Sequence, residues 1–203
     1  SRRTSSSRWP DVLAAAEEAS RRAAARIEHV PAVCLLALAL DLQGREREAR
    51  GLADRGAQLW SEVTAPPGRA YLQGASGLLA LARLHVRRGR PDVAAGLVGP
   101  LLVAAEAAGW WEFVASASIV AALAHEALGR AARAEAAVRR ALEVASRVEL
   151  PWIGWQAHAA LARLRGAEEH REAALAGIAG LSRAIPDETI RAGFTEAATA
   201  AAR

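Results

Sequence analysis

Apolar residues recur at three- and four-residue steps along most of this chain, and single glycines punctuate the runs they mark. From Pro10 to about His29, Val12, Ala16, Ala19, Ala23 and Ile27 form one stripe, with Glu17–Arg21 and Glu18–Arg22 pairs on the wet side. That spacing predicts an amphipathic helix. From Pro31 the run PAVCLLALALDLQ carries no charge before Asp41 and predicts a helix covered on most sides. A more polar helix follows over 45–63, until TAPPG at 64–68 breaks the chain. The next pair covers 69–88 and 92–108, and Pro100 is expected to kink the second helix or end it early. Gly109 resets the chain before helices at 110–128 and 131–149. In the latter, Glu135, Arg139, Glu143 and Arg147 make a solvated ridge opposite Ala134, Ala137, Val138, Ala141, Ala145 and Val148. Leu150-Pro151 stops that helix, and 152–165 pairs with 168–184. After Ile185-Pro186, DETIRAGFTEAA predicts a short closing helix capped by Asp187.

Four glycines organise these elements. Gly44, Gly89, Gly129 and Gly166 each stand between two helical runs, at separations of 45, 40 and 37 residues. Small residues fall in register around them. Ala37, Ala82, Ala122 and Ala159 stand seven before, and Ala49, Ala94 and Ala134 five after, with Arg171 breaking the match in the fourth repeat. Regular glycines with small residues at fixed offsets fit a helical-hairpin repeat, in which each hairpin buries a face by stacking on its neighbour. The expected fold is all-α, an α-solenoid of about four hairpins with one leading and one closing helix. Residues 1–9 are expected to be disordered or an expression remnant, and 10–203 to form a single repeat domain.

The offsets resemble those of the tetratricopeptide repeat family, whose motif places small residues around the inter-helix turn. Trp155, eleven before Gly166, matches the family's aromatic on the first helix; Val33, Leu78 and Ser118 are the equivalents elsewhere. The spacing exceeds the family's usual 34 residues. The second helices lack its aromatic, and the closing proline is absent. Longer Ala/Arg-rich hairpins of this kind are similar to the C-terminal repeats of large bacterial signal-transduction ATPases, including LuxR-type transcriptional regulators. The stretches LPWIGWQAHAALARL and LSRAIPDETIRAGF look like the ends of such regions. No GxxxxGK[ST] loop lies in the chain, so any ATPase of such a regulator would lie in another part of the parent.

Composition narrows the chemistry. Apolar residues make up 52% of the chain, with only two Phe and one Tyr, which argues against strands. The cations are 26 Arg with no Lys, the footprint of a GC-rich, bacterial genome. Of the net +4, Arg2, Arg3 and Arg8 supply three, leaving no clustered basic face for nucleic acid. Cys34 alone excludes an internal disulfide, and its apolar run reads as a packed thiol. The apolar stretch Ala32–Leu40 is roughly half a membrane span, and the N-terminus resembles no signal peptide, so a cytoplasmic, membrane-free chain is expected. His85 and His125 sit four before their glycines, too far apart in stacked repeats to share an ion, so no metal and no cofactor are expected. HExxH, paired Cys and GxSxG are absent, and no enzyme is expected.

What remains is binding. In the family geometry the first helices line a concave face, and its inward offsets fall on Ser116, Ile119, Leu123 and Glu126 in the third hairpin. In the fourth they fall on Ile153, Gln156, Ala160 and Arg163, and in the second on Ser76, Leu79, Arg83 and Val86. The resemblance thus implies a concave face built on Arg83, Ser116, Ile119, Leu123, Glu126, Gln156 and Arg163, suited to a peptide or helix. Trp110, Trp111 and Trp152 are candidate aromatic anchors, or else wedges between Ala-rich helices. The expected role is a non-catalytic scaffold or sensor segment of a larger bacterial signalling or transcriptional regulator. Its partner would be a protein, a peptide or the parent's own ATPase module, and an uncapped repeat end offers a dimerisation face. Two alternatives stand beside it. One is a DNA-binding domain, reading ARLHVRRGRPDVAAGLV as a helix-turn-helix with Arg83, Arg87, Arg88 and Arg90 on phosphates. The other is a small-molecule sensor using the Trp-rich third and fourth hairpins.

Overall fold

The computed structural model describes residues 29–61 and 73–202. The first nine residues and the expected leading helix at 10–29 fall almost wholly outside them. Among the described residues the protein is all-α, with neighbouring helices packed in succession as in a helical-repeat fold. The chain divides into two compact units, the first ending at Ala108 and the second beginning at Gly109.

The first unit holds α1 (His29–Leu42), α2 (Glu46–Ser61), α3 (Ala75–Arg87) and α4 (Pro91–Ala107). Helix α1 packs against both α2 and α3, and α3 against α4. That double cover explains why PAVCLLALAL carries no charge: Val33, Cys34, Leu36, Ala37 and Leu40 are all buried. Two close approaches fix the packing. A Cβ on Gly56 would meet Cys34 Sγ, and one on Gly77 would stand 2.8 Å from backbone atoms of Val30 and Pro31. Helix α4 continues through Pro100 to Ala107, so the expected early end does not occur. Pro100 is exposed, and the backbone bond it forfeits lies on the wet side, where water substitutes.

The second unit holds α5 (Trp111–Ala127), α6 (Ala131–Arg147), α7 (Pro151–Arg165), α8 (Glu168–Arg183) and the closing α9 (Glu188–Ala201). Helix α6 lies against α5 and α7, α8 against α7, and α9 against α8. Ala134, Val138, Ala141, Val144 and Ala145 are the buried stripe of α6, and Glu135 pairs with Arg139 at 2.6 Å on its wet ridge. Asp187 caps α9, its carboxylate accepting the Ile190 N–H at 3.0 Å. Trp155 and Phe194 close over Ala159, Ala174, Ile178 and Ala198.

The glycines mark the corners. Gly44, Gly89, Gly129 and Gly166 all hold left-handed φ between 65° and 76°. Around Gly129 the Arg130 N–H reaches the His125 carbonyl at 2.8 Å, and the same bond joins Arg90 to His85. This turn satisfies carbonyls at a helix end and requires a positive φ that glycine adopts without steric cost. No helix among the described residues is long and apolar enough to cross a membrane.

Candidate functional site

The second unit carries most of the expected surface. Glu126 lies three residues before Gly129 and Arg163 three before Gly166, and the two meet. Arg163 donates from Nε to Glu126 Oε1 at 2.8 Å and from Nη2 to Oε2 at 2.7 Å. Those hydrogen bonds hold the Glu126 carboxyl below its ordinary range and the Arg163 guanidinium above its own, against the opposing effect of burial. A second tie joins Arg165 on α7 to Glu135 on α6 at 2.9 Å. Ser116 and Leu123 are half-buried on α5, whereas Ile119 is only 4% exposed and belongs to the interior. Gln156 is half-buried and donates to the Trp152 carbonyl at 2.7 Å. Arg83 lies on α3 of the first unit, half-buried, where burial lowers its pKa.

The tryptophans divide between wedge and surface. Trp155 and Trp60 are half-buried, packed near Gly177 and Gly74 respectively. Trp111 is half-buried, with the Arg147 guanidinium 4.1 Å from its ring centroid, a contact that pins the start of α5 to the end of α6. Trp110 and Trp152 are 41% and 42% exposed. Trp110 stacks on Phe113 with centroids 5.7 Å apart, which stiffens it at the head of α5. Trp152 is the second residue of α7, five residues beyond Arg147.

Cys34 is buried and its thiol is pushed up to about 12 by that burial, so it stays protonated and inert. No group of three or more His, Cys, Asp or Glu stands together for a metal among the described residues. His158 and His170 do meet across the Gly166 corner, Nδ1 to Nδ1 at 3.1 Å. Their positions, eight before and four after the glycine, adjoin the offsets where small residues pack hairpins together. That adjacency is the sequence signal for the pair.

In the first unit the structure assembles a charged cleft of about 650 Å³ between α2 and the end of α3. Asp41, with a side chain only 7% exposed, binds two arginines of the next hairpin: Arg87 Nε at 2.7 Å and Arg88 Nη2 at 3.1 Å. Arg88 also donates to the Glu46 carbonyl at 3.3 Å. One carboxylate is thus shared between two guanidiniums, so the cluster keeps a net positive charge. Asp41 carries no motif, and its partners lie 46 and 47 residues away. Only the fold brings them together.

Neither a family model, a curated protein nor a solved structure matches this chain.

Proposed function

We propose that this chain is a non-catalytic interaction segment, a scaffold or sensor within a larger cytoplasmic bacterial regulator, and that its surface engages a protein partner. The supporting observation is the exposure of Trp110 and Trp152 at the heads of α5 and α7. Core-filling tryptophans would pack against the alanines, as half-buried Trp155 does. Large aromatic area held open to water is the make-up of an interface hot spot. The tetratricopeptide-like offsets support the same reading, since stacked hairpins present side chains from successive first helices. The partner is a separate protein or peptide, or the ATPase module of the parent chain.

The test uses the 203-residue chain as bait, beside its Trp110→Ala/Trp152→Ala variant. A partner or sister module held by the native chain and released by the variant is expected. Retention unchanged in the variant, with native thermal unfolding, would overturn the reading.

A further inference from the structure

The cleft of the first unit shows a second and different surface. Its floor is Ala53 and Leu84, both buried, and its walls carry Arg50, Arg87, Arg88 and Arg90. Asp41 holds Arg87 through Nε at 2.7 Å, and the two terminal nitrogens of that guanidinium have no partner among the described residues. Arg87 keeps 48% of its side chain exposed. Arg50 and Arg90 are exposed, with no side-chain partner among the described residues. Arg90 also stands at the head of α4, where no side chain caps the first turn. Within one concavity the fold thus presents three guanidiniums with donors to spare, held over an apolar floor.

We infer that this cleft receives an acidic segment of a protein partner, its carboxylates taken by Arg50, Arg87 and Arg90. Guanidinium forks match carboxylates in geometry, and charge-assisted hydrogen bonds of that kind are the strong ones. Glu46 and Asp54 also line the cleft, and a continuous phosphate backbone would meet both acids, which disfavours it relative to separated carboxylates. Asp41 is a positioning residue that holds two guanidiniums in place without consuming the cleft. The inference deepens the proposed interaction role but rests on other residues than the tryptophans.

The test is fluorescence anisotropy of a labelled peptide bearing four glutamates, against its glutamine counterpart and a labelled DNA duplex, with the full chain. Saturable binding of the glutamate peptide alone is expected, weakened by added salt. Arg50→Glu and Arg90→Glu should each weaken it about tenfold. Arg55→Glu, the same charge change on α2 outside the cleft, should alter it less than twofold. No saturable peptide binding, equal losses in all three variants, or tighter binding of the duplex overturns the inference. Circular dichroism confirms that each variant is folded. The Trp110→Ala/Trp152→Ala chain should keep full peptide affinity, so failure of this cleft is read apart from failure of the tryptophan surface.

Discussion

Arg163 grips Glu126 with two parallel hydrogen bonds, 2.8 and 2.7 Å, and both residues stand three before their corner glycine. Equivalent positions of successive hairpins thus carry complementary charges, and the tie sets how α7 sits on α5. The Arg163 and Glu126 side chains are 41% and 32% exposed, so solvent screens the pair strongly. A double-mutant cycle with Glu126→Ala and Arg163→Ala is expected to give a coupling of about 0.5–1 kcal/mol. Because the folded Glu126 carboxyl titrates below its unfolded range, this stability is present above that range and lost as pH falls through the folded value. A coupling unchanged between neutral pH and pH 3 would contradict the assignment.

Glu149 occupies a position that the other turns give to glycine. Its φ is 55°, and around it the Leu150 N–H reaches the Ala145 carbonyl at 2.8 Å, as Arg130 reaches His125 around Gly129. A left-handed conformation costs a residue with a Cβ about 1–2 kcal/mol, partly offset in glycine by the entropy it loses on folding. Glu149→Gly is therefore expected to stabilise the chain by about 0.5–1 kcal/mol in urea unfolding. Gly129→Ala is expected to cost about 1 kcal/mol, through the backbone alone, since an added Cβ there meets nothing within 4 Å. A destabilised Glu149→Gly would refute the account.

The same two positions show why the sequence was legible in part. Corner glycines are visible because few other residues hold a left-handed φ at a helix end, so their spacing reports the hairpins directly. Glu149 carries no such signal, and only Leu150-Pro151 marked that boundary. Ile119 matched an inward offset of the family it resembles, yet it is interior, because α5 is covered by both α6 and α7. The Asp41 cluster was illegible for another reason: ion pairs 46 residues apart depend on hairpin stacking, which no local pattern encodes. Glu126 and Arg163 were singled out by the family's offsets as binding-face residues, but that they bind each other was not legible, for the same reason.

Gly77 tests how closely α1 and α3 are packed. An added Cβ would lie 2.8 Å from the Pro31 Cα and N and from the Val30 carbonyl carbon, all backbone atoms that cannot rotate away. Gly77→Ala is expected to destabilise the chain by about 2–3 kcal/mol, as overpacking does. Gly51 on α2 is exposed and open on every side, so Gly51→Ala should stabilise it by up to about 1 kcal/mol through helix propensity. Thermal or urea unfolding of both variants should give opposite signs. Equal effects would mean that the α1–α3 approach is looser than described.

The His158–His170 contact makes the fourth hairpin sensitive to acid. With the two Nδ1 atoms 3.1 Å apart, one ring must donate and the other accept, so both cannot be protonated without separating. Burial, and then the neighbouring His170, lowers the pKa of His158 in the folded chain. The unfolded chain consequently binds protons first as pH falls. Stability is full above the ordinary histidine range and is lost as pH drops through it. Urea unfolding between pH 8 and 5 should show this fall, with His85 and His125 adding to it in the same direction, since burial lowers both. His170→Gln leaves a neutral partner at the same place, so the slope of stability against pH should flatten while the hairpin persists at neutral pH. An unchanged slope in that variant would show that the facing imidazoles do not oppose each other's protonation.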